Sequence, residues 1–160
     1  MQKEFRVRYE EYDSAAELPA ADAALLDMAR KATGDAYAPY SRFRVGAAAR
    51  LVNGQLITGT NQENASYPVG ICAERTLLSV AGSLFPGVAI ETLAVSYDNE
   101  QGVSDRPISP CGICRQSLQE FEQRTNHSIR IILAGQRGKV IVLEGSATLL
   151  PFAFSADELQ

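Results

Sequence analysis

Three cysteines constrain this chain more than any other feature: Cys72 stands alone, and Cys111 and Cys114 form a Cys-x-x-Cys pair beginning 39 positions later. Three is too few, and odd, for a disulfide framework, so the spacing points to metal or redox chemistry. Both groups fall where a helix is expected to begin. Free N–H groups and the positive end of a helix stabilise a thiolate there, and zinc stabilises it further by direct coordination. A fold that uses this spacing has to bring two helix starts together.

Periodicity supplies those helices. From Ala20 to about Ala36, residues Leu25, Leu26, Met28, Ala29 and Ala32 recur at helical spacing, and Pro39 limits the run. Phe43–Leu51 and Gln55–Asn61 flank Asn53-Gly54, a dipeptide that tolerates positive φ and closes two-residue hairpins, so an antiparallel pair is predicted. A second helix is predicted over Cys72–Leu84, with an apolar face at Leu77, Leu78, Val80 and Ala81, ahead of Pro86-Gly87. Val88–Tyr97 reads as a buried strand, and Asp98–Pro110, with Gly102 and two prolines, as a loop. A third helix is expected over Cys114–Arg124, then strands at Ser128–Ala134 and Val140–Glu144 and a helical turn near Ser146–Leu150. Lys3–Tyr9 places Phe5, Val7 and Tyr9 on one side and reads as a further short strand at an edge. This order describes an α/β fold, one mixed sheet with helices on its faces, in a single domain over residues 1–160.

At 160 residues, with 46% hydrophobic and 21% charged residues, the chain is an ordinary globular one with a single core. A net charge of −4 provides no positive field for nucleic acid, so a small uncharged substrate is the more natural partner. No run of about 18 uncharged apolar residues is present, and the expectation is a cytoplasmic protein without a membrane partner.

Counting ligands separates two kinds of zinc site. A structural zinc takes four protein ligands, whereas a catalytic one takes three and leaves a position for water. His127 is the only histidine, and about ten residues of helix, rising about 15 Å, separate it from Cys114, which puts it out of reach. Glu74 follows Cys72 by two and can carry protons beside the metal. Three thiolates on a divalent ion leave excess negative charge, and Arg75 is the candidate guanidinium to offset it by bonding the thiolates. Cys-Ala-Glu with a distant Pro-Cys-x-x-Cys is also the pattern of the zinc deaminases that act on bases.

Five blocks in order carry a resemblance to a known family. They are Tyr37-Ala38-Pro39-Tyr40-Ser41-x-Phe43-x-Val45-Gly46-Ala47, Asn61-Gln62-Glu63-Asn64-Ala65-Ser66-Tyr67-Pro68, Cys72-Ala73-Glu74-Arg75-Thr76, Ser109-Pro110-Cys111-Gly112-x-Cys114-Arg115-Gln116 and Leu149-Leu150-Pro151-x-Ala153-Phe154. From Ala36 onward the chain resembles the small, homotetrameric cytidine deaminases. The resemblance implies a three-layer α-β-α sandwich around one mixed five-stranded sheet, with residues 1–18 an extension outside the family pattern. It implies hydrolysis of cytidine and deoxycytidine to uridine and deoxyuridine with release of ammonia, a pyrimidine salvage reaction. Zinc is then held by Cys72, Cys111 and Cys114, with Glu74 as the catalytic proton carrier. Asn61 and Glu63 match positions that hold the ribose hydroxyls, Phe43 an aromatic lining the nucleoside pocket, and the Ala73 backbone a group that bonds the base. Phe154 matches an aromatic that reaches a neighbouring subunit's site, which implies a homotetramer with shared active sites.

Departures from the pattern carry expectations too. Arg44 stands where proline is usual and would add a charge near the pocket mouth; Ile113 replaces a small residue and would narrow a wall near the metal. The longer Asp98–Arg106 loop would alter a subunit contact or the fit of the sugar. Two other functions fit part of the pattern. One is a deaminase of a nucleoside antibiotic such as blasticidin S; the other is a non-enzymatic zinc-stabilised module with His127 completing a Cys₃His site. Action on polynucleotides is disfavoured, since Arg130, Arg137 and Lys139 are too sparse for a basic stripe.

Overall fold

Successive side chains of a strand point to opposite faces, and the central strands here are apolar on both. On β2 (Phe43–Leu51), Ala47, Ala49 and Leu51 enter one core cluster while Ala48 enters another. On β4 (Ile90–Asn99) Leu93 and Val95 divide from Ala94 in the same way, and on β5 (Arg130–Ala134) Ile131 and Leu133 divide from Ile132 and Ala134. A sheet buried on both faces needs a helical layer on each. The computed structural model, which describes residues 1–159, supplies them. Helix α1 (Ala20–Ala32) covers one face with Leu25, Leu26 and Ala29, and α2 (Ala73–Leu84) and α3 (Gly112–Thr125) cover the other with Leu77, Ala81, Leu118 and Phe121.

The sheet has six strands in the order β1-β6-β5-β4-β2-β3, with β1 at Glu10–Tyr12, β3 at Leu56–Thr60 and β6 at Val140–Glu144. All neighbours are antiparallel except β4 and β5, which α3 links as a crossover. The predicted five-strand mixed sheet is therefore present, with a sixth strand at the edge beside β6. That strand is not where apolar alternation placed it. Phe5, Val7 and Tyr9 remain exposed, and β1 begins only at Glu10. The strand that forms carries ionic partners: Glu10 lies 3.6 Å from Arg130 on β5 and Glu11 pairs with Lys139 beside β6, whereas the apolar stripe stays outside the sheet.

Two other boundaries differ for local reasons. Helix α1 stops at Ala32 and gives way to a 3-10 turn over Thr33–Asp35, which contains Gly34. The β2–β3 hairpin closes through three residues, not two: Leu51 N–H donates to Gln55 O, Gly54 N–H donates to Leu51 O, and of Asn53 and Gly54 only the glycine has positive φ. A turn followed by a left-handed glycine is the common three-residue closure. Among the described residues no helix is long and apolar enough to cross a membrane.

Candidate active site

Both cysteine-bearing helices begin at one end of the sheet. β3 and β4 each run antiparallel to β2, so they share a direction, and β5 shares it with β4. The chain leaves the carboxyl end of β3 towards α2 and the carboxyl end of β4 towards α3, which brings the two helix N-termini together. Ligand sites of open α/β sheets form at this end.

Cys72 and Cys111 are the N-cap residues of α2 and α3, both with extended backbone, and neither sulfur is spent on capping its own helix. Cys114 lies in the first turn of α3 and is fully buried. Cys111 Sγ stands 3.7 Å from Cys72 Sγ and 3.4 Å from Cys114 Sγ, and all three sulfurs lie within 4.8 Å of one another. A tetrahedral zinc with bonds of about 2.3 Å sets its sulfur ligands about 3.8 Å apart, so this donor set fits one zinc ion. Among the described residues no histidine or carboxylate joins the cluster. His127 is exposed beyond the left-handed cap Asn126 at the far end of α3 and offers no fourth ligand. Three protein donors leave one coordination position open.

The thiols are poised to ionise unequally. A hydrogen bond from Cys114, with help from Cys111 and from the charge of Arg75 and against burial, holds the Cys72 thiol down at about 6. The same contact with Cys72, together with burial, pushes Cys114 strongly up. Arg75 acts here through its charge alone: it makes no hydrogen bond to a cysteine sulfur among the described residues and instead lines a groove between α2 and α3. The expected guanidinium–thiolate bond is thus not formed, because the side chain leaves the first turn of α2 on the groove side. That groove, about 690 Å³, is larger than the cavity beside the sulfurs but holds none of the cysteines.

The cavity that adjoins the sulfurs measures about 320 Å³ and is lined by Cys72, Cys111 and Glu74 together with Asn61, Glu63 and Tyr67. Its volume suits a small ligand. Glu74 is only 5% exposed, and burial raises its carboxyl above the ordinary carboxylate value, against its own backbone N–H and Cys114. Ala73, fully buried, lines the cavity at the first position of α2, where a backbone N–H lacks an intrahelical partner.

Two bridges assemble the polar side. Gln62 exchanges backbone hydrogen bonds with Ile71, and Tyr37 N–H donates to Asn61 O while Glu63 N–H donates to Tyr37 O, so the first three sequence blocks converge. Asn61 is largely committed to this framework: its Oδ1 accepts from Val45 N–H at 2.8 Å and its Nδ2 donates to Phe43 O at 2.9 Å. One N–H and one lone pair remain for a ligand. Glu63 Oε2 accepts from the N–H groups of Tyr40 and Ser41 at 2.9 and 3.2 Å. Burial opposes ionisation of Glu63, but those bonds and the Ser41 hydroxyl outweigh it and lower its pKa. Glu63 Oε1 is left available.

Phe43 is beside the cavity and not among its lining; its ring stacks on Tyr97 at 4.9 Å, and Val45, one pleat along β2, takes the lining position. Phe154 is 58% exposed and does not line the cavity of its own chain. Arg44 faces the α1 side of the sheet, bound to Glu100 at 2.5 Å and to Gly34 O at 3.0 Å, so it does not charge the cavity mouth. Ile113 is 63% exposed and narrows nothing at the sulfurs, because it projects outward from the first turn of α3. Sequence reasoning gave no role to Ile108 and Ser109, which line the cavity from the loop before Cys111; the Ser109-Pro110-Cys111 block was the available signal.

Residues 19–128 match the family model described as the cytidine and deoxycytidylate deaminase zinc-binding region. The chain is 40% identical over 136 residues to a cytidine deaminase of Sporosarcina psychrophila, covering 84% of this chain and 92% of that protein. It is 37% identical over 134 residues to a cytidine deaminase of Mycobacterium tuberculosis, covering 82% and 87% respectively. The crystal structure of cytidine deaminase from Burkholderia pseudomallei matches with a TM-score of 0.71 at 39% identity, over 82% of this chain and 97% of that one.

Proposed function

The chain belongs to the cytidine deaminase family, and from that premise we propose that it hydrolyses cytidine and deoxycytidine to uridine and deoxyuridine with release of ammonia. The observation that carries this reading is the juxtaposition of three cysteine sulfurs with the buried Glu74 in one small cavity. Cys72, Cys111 and Cys114 would hold the zinc, which when bound acidifies water at its open position. Glu74 takes the proton from the attacking water and passes it to the ring nitrogen next to the reacting carbon. It then takes the remaining proton from the hydroxyl now bonded to that carbon and delivers it to the departing amine, the carbonyl forming as the C–N bond breaks, so one carboxyl serves twice. The backbone of Ala73 orients the base; Asn61, with its remaining N–H, and Glu63, through Oε1, hold the sugar hydroxyls, and Phe43 backs the pocket from beside Val45. Arg75 offsets the charge of the thiolates from a distance.

The family description covers both a nucleoside and a nucleotide substrate. Charge favours the nucleoside: the residues lining the cavity include Glu63 and Glu74 and no lysine or arginine, so a phosphate dianion would meet two carboxyl groups and no cation. Against a nucleoside antibiotic the cavity charge does not discriminate; the likeness to proteins named cytidine deaminases at about 40% identity favours the cytosine nucleoside. We place the reaction in pyrimidine salvage in the cytoplasm, with residues 1–160 acting as one domain that assembles into a homotetramer. Exposed Phe152 and Phe154 at the tail support an assembly in which Phe154 reaches a neighbour's site.

Initial rates on cytidine, deoxycytidine, deoxycytidylate and blasticidin S test the proposal. Turnover of the first two is expected, and turnover confined to either of the others would overturn it. Glu74→Gln should lower kcat by about 10²–10⁴-fold with zinc content unchanged; loss of zinc in step with activity would instead mark Glu74 as structural.

A further inference from the structure

Arg115 sits in the first turn of α3, directly after the ligand Cys114, and its guanidinium grips two carbonyls. Its backbone N–H donates to Cys111 O at 2.9 Å, its Nε to Pro110 O at 2.8 Å and an Nη to Leu149 O at 2.9 Å. The backbone bond is the ordinary opening bond of the helix; of the guanidinium's two acceptors, one is the carbonyl of the peptide that leads into Cys111 and the other lies at the start of the C-terminal tail. Gln116 Nε2 then donates to Phe154 O at 2.9 Å, so adjacent residues of α3 pin the tail at two points. Among the described residues Arg115 has no carboxylate partner, so its charge is committed to the carbonyl clamp. Hydrogen bonds from a charged donor are the stronger kind, and a planar guanidinium holds two acceptors at a fixed angle.

We propose that Arg115 is a positioning residue that couples the metal site to the tail: zinc on Cys111 steadies the tail at Leu149, and a seated tail steadies Cys111. This rests on the reading that Cys111 is a zinc ligand and that the tail carries Phe154 to a neighbouring site. Coupling of this kind is reciprocal, so it is visible from either end. One guanidinium that lost its grip would free both segments at once.

The test uses the full-length protein with and without zinc. Hydrogen exchange is followed at the amides of Leu149 and Leu150, both of which donate to Ser146 O, and zinc loss is timed against a chelator. In the wild type, zinc should slow exchange at those amides. In Arg115→Met the zinc dependence of exchange should vanish and zinc should leave about 10-fold faster, the lower end of the effects that follow loss of an outer-shell partner of a metal ligand. Arg115→Lys keeps the charge but reaches one carbonyl at a time, so it should fall between, and it decides the matter if the methionine variant does not fold. Tail exchange that ignores zinc in the wild type, or a lysine variant indistinguishable from wild type, overturns the coupling. Neither readout depends on turnover, so failure of the wild type to act on cytidine would overturn the proposed function and leave this result standing.

Discussion

At the residue scale, Glu63 shows how a carboxylate can serve structure and ligand with separate oxygens. Its Oε2 fastens the Tyr40–Ser41 turn, and the lowered pKa reflects those bonds winning over desolvation. A folded-state pKa below the unfolded value means that the contribution to stability is complete above the ordinary glutamate value, near about 4.3, and is lost as pH falls through the lowered value. Glu63→Gln should therefore have a lower Tm than wild type at neutral pH. The gap should close as both are titrated below that range, and a gap independent of pH would exclude the ionic origin. Glu74 faces the opposite balance, since burial dominates and raises its carboxyl. The two acids in one cavity are thereby separated into a fixed anion and a group able to exchange protons.

At the element scale, the position of α2 depends on a missing side chain. A Cβ on Gly59 of β3 would lie 2.5 Å from Leu77 N and 2.6 Å from Ala73 O, so only glycine lets the helix sit this close to the strand. Gly59→Ala should cost about 1–3 kcal/mol in denaturant unfolding. It should also push away the helix turn that carries Cys72 and Glu74. Activity is expected to fall by more than the stability loss explains when kcat is measured on fully folded protein; a stable, fully active variant would show that α2 has slack against β3. Both helix N-termini were legible as thiolate positions because Pro, Gly and apolar spacing mark helix boundaries. The path of Arg75 was not, since it stands three positions after Cys72, and spacing along the chain does not say which way a long side chain in a first helical turn will reach.

At the scale of the whole molecule, the tail is anchored to α3 by Arg115 and Gln116 yet leaves Phe152 98% and Phe154 58% exposed. Rings presented in this way lose hydration cost only when something covers them. If the cover is a neighbour's site, Phe154→Ala should lower kcat/KM while gel filtration shows the oligomer intact. Mixing Phe154→Ala subunits with Glu74→Gln subunits and allowing exchange should then give more activity than the two preparations added together. Strict additivity would confine each site to one chain. The N-terminal arm extends the same outward-facing surface, since Phe5 lies 6.5 Å from Phe152, ring to ring.

What the sequence determined by itself is the chemistry and the layers. Cysteines at helix starts, a carboxylate two residues on and apolar periods of two and 3.6 are local properties, and they specified a three-thiol site on a mixed sheet with helices on its faces; the three-layer sandwich came from the family resemblance. The tertiary structure alone decided which neighbours compete for each polar group. Glu10 and Glu11 meet Arg130 and Lys139 in a first strand that forms past the apolar stripe; Asn61 gives most of its amide to β2; and Val45 lines the cavity that Phe43 stands beside. The physical reason is the same in each case. A hydrogen bond or ion pair is won by whichever partner the fold brings within reach, and that distance is not written in spacing along the chain.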